Sequence, residues 1–166
     1  MKANDLFDCI SARSSITKAE AETWLSSPDL RLRAVAVGCF EKVRNFSKIQ
    51  PPLTQREWES YYLNYLFECV DAKISGDDWI HSAYEACWDL ASLFNLYVCE
   101  NRSAVTLKDI ADRFGRLLIS DDSKKTIVIN GFLEHIDRAA RRRVMKDWHS
   151  DPSLRAAYIA VESWLY

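Results

Sequence analysis

Glycine is scarce in this chain, four residues in 166, and the four stand apart from one another. Gly38, Gly76, Gly115 and Gly131 have no second glycine at motif spacing, which excludes a phosphate-binding loop and a dinucleotide fingerprint and, with them, nucleotide-dependent catalysis. So few glycines also argue against a turn-rich β architecture. The five cysteines, Cys9, Cys39, Cys69, Cys87 and Cys99, are odd in number and lack any CxxC spacing. They sit mostly among apolar residues, as small core fillers in a reducing cytoplasm do. None has a histidine nearby in sequence, and no serine lies in a GxSxG elbow, so no nucleophile is marked. No apolar run reaches membrane-spanning length, and Asp5 and Asp8 interrupt the stretch where a signal peptide needs continuous apolar residues. The expectation is a cytoplasmic, non-enzymatic protein with no cofactor.

What is present is helical periodicity. Residues 4–13 and 18–26 read as two short helices, the second opened by Thr17 and Glu20 in capping-box spacing. A third runs from Pro28 to about Phe46 and buries Leu32, Val35, Ala36, Cys39, Phe40 and Val43. Thr54 and Glu57 open a helix to about Ala72, with Trp58, Tyr62, Tyr65, Leu66 and Cys69 on one face, and Gly76 breaks the chain after it. Asp77 is read as the cap of a helix through about Val98 whose apolar face holds Ile80, Ala83, Tyr84, Cys87, Ala91, Phe94 and Val98, making an antiparallel hairpin with its predecessor. Thr106 and Asp109 suggest a cap for a helix through Ile110, Phe114 and Leu117 to Ile119. The β-branched run Thr126–Ile129 is flanked by residues that favour a helix. A basic helix from about Arg138 to Trp148 and a last one from Pro152 complete the set.

Two of these helix starts echo each other. Ser27-Pro28-Asp29-Leu30-Arg31-Leu32-Arg33-Ala34 is answered by Asp151-Pro152-Ser153-Leu154-Arg155-Ala156-Ala157. In both, proline occupies a first-turn position that needs no amide donor, and Ser or Asp precedes it as a cap. The pattern resembles the helix starts of HEAT-type repeats over less than half of the chain. That resemblance implies a stack of helix pairs and a scaffold for a partner, not a reaction. The expected fold is all-α: a single domain over residues 1–166, with about eight antiparallel helices in a HEAT-like α-solenoid or an irregular helical bundle. At this length folding buries roughly 70% of the unfolded surface, so no disulfide or metal is needed for stability.

The net charge of −2 conceals a polarised molecule. From Ile49 to Asn101 two basic residues face nine acidic ones, a balance of −7, whereas Arg102 to Tyr166 carries +3. Glu57, Glu68 and Asp71 recur at helical steps opposite the Trp58–Tyr62–Leu66 face, and Asp78, Glu85 and Asp89 do the same on the next helix. These six are the candidate partner-binding residues, with Tyr61 and Trp79 as aromatic anchors; Trp88 also lies off the main apolar stripe. The matching partner is a basic protein. Small immunity proteins that neutralise bacterial nuclease toxins answer to the same description, being compact, non-catalytic and often acidic where the toxin is basic.

Rival readings are carried by other residues. The run Arg138, Arg141, Arg142, Arg143 and Lys146 would suit phosphates, as in HEAT-like DNA glycosylases, but the acidic middle of the chain argues against nucleic acid. Its bland alternative is a solvated helix whose cations pair with neighbouring carboxylates. Asp78 and His81, one helical turn apart, form half of a metal-binding motif with no second copy, so no metal is expected. A structural adaptor or homo-oligomer joined through aromatic faces is the third reading.

Overall fold

The computed structural model describes residues 1–41 and 52–162, apart from the side chains at 104 and 105. The described residues form nine α-helices and no strand. In chain order these are α1 (Ala3–Ser11), α2 (Lys18–Leu25), α3 (Leu30–Phe40), α4 (Gln55–Asp71), α5 (Ala83–Cys99), α6 (Ala104–Ser120), α7 (Asp122–Ile127), α8 (Arg138–Ser150) and α9 (Arg155–Glu162). No helix among the described residues is long and apolar enough to cross a membrane. The described residues group into two compact units, one drawn from Met1–Cys69 and Ile74–Ser82, the other from Val70–Lys73 and Ala83–Tyr166. The helices expected to form one hairpin therefore divide between the units, α4 up to Cys69 in the first and α5 in the second.

In the first unit, α1 and α2 pack on α3. Ala34, Val35, Ala36, Val37 and Phe40 are buried, while Arg31 and Gly38 are exposed, so α3 is enclosed through its middle and keeps an open side. Thr17 and Glu20 form the expected capping box, with Thr17 Oγ1 accepting from the Glu20 amide and Glu20 accepting from the Thr17 amide at 2.9 Å. Pro28 lies outside α3. Asp29 is the cap, its carboxylate accepting from the Arg31 N–H at 2.9 Å, because an Asp side chain can reach that orphan amide and the proline ring cannot. The tail of the expected helix, with Val43 and Phe46, falls outside the described residues. Thr54 and Glu57 cap α4 reciprocally, and its predicted face of Trp58, Tyr62, Tyr65, Leu66 and Cys69 is buried throughout. The buried Glu41 side chain accepts from the Tyr62 hydroxyl at 2.8 Å, which gives a polar partner to a group that would otherwise be costly to desolvate.

Two chain reversals differ from the sequence expectation. Lys73, not Gly76, ends α4: it takes a φ of 53° while the Ile74 amide reaches back to the Cys69 carbonyl, a Schellman closure. Gly76, at φ 85°, turns the loop that follows, and a Cβ there would meet the Ser82 backbone nitrogen at 2.8 Å. Asp77 caps no helix. Its carboxylate accepts from the amides of Trp79 and Ile80, and that local alternative to helical bonding holds residues 77–82 as a loop, so α5 begins only at Ala83.

In the second unit, Phe94, Phe114 and Phe132 form the aromatic centre, the latter two stacked at 3.7 Å between ring centroids. The cap of α6 is Ser103 rather than Thr106; the Thr106 amide donates to Ser103 Oγ. On that helix Leu118 is buried while Leu117 is only half-buried and Ile119 is exposed. The β-branched run is helical, as expected, but α7 widens into a π-helical segment from Val128 to Leu133 that packs on α5. Gly131 makes this approach feasible, since a Cβ on it would lie 2.7 Å from the Cys87 Cβ. Trp148, fully buried, donates its indole N–H to the Ala111 carbonyl at 2.7 Å. The second proline motif matches its expectation: Asp151 caps, with Pro152 opening a 3-10 turn that runs into α9.

Candidate protein-interaction surface

The acidic residues of α4 are engaged within the protein. Glu57 accepts from Lys18 Nζ at 2.6 Å and Glu68 pairs with Arg33 at 2.5 Å, both in the first unit. Asp71, at the end of α4 in the second unit, pairs with Lys124 at 2.5 Å. Lys18, together with the N–H and hydroxyl of Thr54, holds the Glu57 carboxyl down at about 2. Asp77 is likewise lowered, first by the Ile80 and Trp79 amides and then by Arg31, with which it also forms an ion pair. A partner's cation approaching Glu57, Glu68 or Asp71 meets a carboxylate already paired with a lysine or arginine of this protein.

The loop 77–82 changes the setting of three candidates. Asp78 is exposed on it rather than on a helix face, and Trp79 is half-buried against Phe7 of α1, ring centroids 5.3 Å apart. His81 does not share a helical face with Asp78. Its Nδ1 lies 2.9 Å from the Tyr65 hydroxyl, which also accepts from the His81 backbone N–H. Tyr61 is half-buried. Among the described residues no group of three or more His, Cys, Asp or Glu is arranged to hold a metal ion. Burial pushes the Cys69 thiol up to about 11 and the Cys87 thiol up to about 12, the opposite of what a nucleophile or redox thiolate requires.

Helix α5 carries the exposed apolar surface. Its inward face is Ala83, Ala86, Cys87, Leu90, Ala91, Phe94 and Tyr97, all buried. Turned away from these, at steps of four, are Tyr84, Trp88, Ser92 and Leu96, with Tyr84 38% exposed and Trp88 and Leu96 each 46%. Three large apolar side chains thus line one side of one helix, with Glu85 exposed and Asp89 half-buried beside them. The Trp88 ring lies 5.7 Å from the His135 ring, and Asn95 ties α5 to the start of α8, donating to the His135 carbonyl at 3.1 Å and accepting from the Asp137 amide at 2.9 Å. No family model, curated protein or solved structure matches this chain.

Of the sequence-predicted residues, then, Glu57, Glu68 and Asp71 sit in ion pairs, Trp79 packs on Phe7, and Glu85 and Asp89 flank the α5 face. Sequence reasoning placed Tyr84 in the core and passed over Leu96. The signal that would have found them is the four-residue ladder Tyr84, Trp88, Ser92 and Leu96, but which stripe of α5 turns inward is decided by packing and not by the period alone.

Proposed function

We propose that this protein is a non-enzymatic protein-binding module whose interface is centred on the exposed face of α5. The observation that supports the reading is the ladder of Tyr84, Trp88 and Leu96, large apolar groups left open on an otherwise well-buried helix. Tryptophan and tyrosine dominate binding energy at interfaces because they desolvate a large area at small cost in side-chain entropy. A basic, toxin-like partner is the narrower form of the proposal. The acidic residues Glu85 and Asp89 beside the ladder support it.

The test is capture of a partner from the native host by the intact chain, followed by affinity measurement with variants. Trp88→Ala is expected to cost about 2 kcal/mol of binding or more, and Tyr84→Ala and Leu96→Ser less. Unchanged affinity in all three would remove the α5 face from the proposal. Charge reversal at Glu85 and Asp89 addresses the partner's sign: a basic partner should then associate more slowly, and an unaffected rate would refute that narrower form.

A further inference from the structure

We infer that the outer face of α8 is a second binding surface, separate from the α5 interface and opposite in sign to the partner-binding residues above, and that it takes an acidic protein segment. Arg138, Arg142 and Lys146 recur at four-residue steps, so they stand in a row with a spacing of about 6 Å along the helix. All three are exposed, and no side chain of the three forms a hydrogen bond or ion pair among the described residues. Their neighbours differ: Arg141 donates to the Leu133 carbonyl and Arg143 pairs with Asp147 at 3.0 Å, both half-buried. Of the nearby carboxylates, Asp137 caps α8 and Asp151 caps the Pro152–Leu154 turn and pairs with Lys108, while the exposed Glu134 pairs with none of the three cations. The protein pairs its acidic row on α4 internally and leaves this basic row unneutralised.

The row is unfavourable for the helix that bears it. Like charges at four-residue spacing repel, and Arg138, the first residue of α8, places a cation at the positive end of the helix dipole. A set of carboxylates brought by a partner relieves both penalties. The match is a helical segment with Asp or Glu at three successive four-residue positions, since guanidinium groups bind carboxylates through paired hydrogen bonds. Nucleic acid fits less well. The second unit contains thirteen basic and thirteen acidic residues, so it carries no net positive charge to draw a polyanion from a distance.

The experiment is fluorescence anisotropy on the full chain with three labelled probes: a helical peptide carrying Glu at those three positions, its Gln counterpart, and a single-stranded oligothymidylate. The Glu peptide is expected to bind, to weaken steeply with salt, and to lose affinity about tenfold or more in Arg138→Glu/Arg142→Glu/Lys146→Glu. The control Lys2→Glu/Arg56→Glu/Arg116→Glu has the same change in net charge and should leave binding nearly intact, as should Trp88→Ala, which tests the α5 proposal alone. Should the triple variant lose helicity, Arg142→Gln replaces it, with an expected loss of about threefold. Equal binding of the Gln peptide, equal weakening in the control, tighter binding of the oligonucleotide, or no peptide binding would each overturn the inference.

Discussion

Replacing Gly131 by alanine is expected to destabilise the protein by about 1–2 kcal/mol, against the usual gain from removing glycine from a helical segment. The new Cβ would stand 2.7 Å from the Cys87 Cβ, 3.3 Å from its sulfur and 3.4 Å from Tyr84 Cδ1. Carbon atoms prefer about 3.5–4.0 Å, so the first contact is roughly 1 Å too short. Neither carbon can rotate away, because a Cβ is fixed by its backbone; either α5 or the π-helical segment must shift. Overpacking of this kind costs about 1–3 kcal/mol, and the lost flexibility of the unfolded chain returns up to about 1 kcal/mol. Urea unfolding followed by circular dichroism, with linear extrapolation, measures the difference. The decisive comparison uses two backgrounds. Cys87→Ala keeps the offending Cβ and should leave the cost of Gly131→Ala unchanged, whereas Cys87→Gly removes it and should abolish that cost. A Gly131→Ala protein as stable as the parent, or a cost that persists undiminished in the Cys87→Gly background, would refute the contact as the reason for glycine.

Trp148→Phe should cost about 2 kcal/mol, from one lost buried hydrogen bond to Ala111 and the space left by the smaller ring, and thermal melting would show it; a melting point equal to the parent's would contradict the assigned role. Glu20 and Glu57 are each held at about 2 against an ordinary 4.5, Glu20 chiefly by the Thr17 amide and Arg13, Glu57 chiefly by Lys18. Because the folded values lie below the unfolded one, their stabilisation is complete above pH 4.5 and is lost as the pH falls towards 2. A Glu20→Gln/Glu57→Gln variant should therefore show a flatter acid limb in melting temperature against pH, and parallel curves would count against it. Cys99 is exposed while Cys69 and Cys87 are buried, so a thiol reagent at neutral pH should modify Cys99 quickly and the other two only on unfolding. Loss of the fast phase in Cys99→Ser checks the assignment; rapid reaction at Cys87 in the folded protein would contradict it.

Helical order was readable in the sequence wherever the cap and the periodic face lay within a few residues of each other. Thr17 with Glu20, Thr54 with Glu57, and Asp151 with Pro152 satisfy orphan amides locally, and the buried face of α4 follows from its own period. Failures occurred where two local solutions compete. Asp77 can cap a helix or close an Asx-type loop on the amides of Trp79 and Ile80, and the sequence alone does not choose. Moving the start of α5 from Asp77 to Ala83 leaves the helical period intact but takes Asp78, Trp79 and His81 off the helix. The widened turn at Val128–Leu133 was illegible for a different reason: it lies where Gly131 closely approaches Cys87, forty-four residues earlier in the chain, and that tertiary contact has no local signature.

Charge was the least legible property, and the cause is separation along the chain. Counting residues from Ile49 to Asn101 finds a strongly acidic stretch, yet Glu57 is neutralised by a lysine 39 positions away, Glu68 by an arginine 35 away and Asp71 by a lysine 53 away. The same count makes the region around α8 a helix with carboxylates at hand, yet Asp137, Asp147 and Asp151 are engaged in caps and with other cations, leaving Arg138, Arg142 and Lys146 open. Surface potential depends on which charges remain unpaired after folding, not on their order in the chain. For this protein that distinction moves the search for a partner away from the α4 carboxylates. It directs attention instead to the apolar ladder of α5 and the cationic row of α8, where the folded chain has left its own groups unsatisfied.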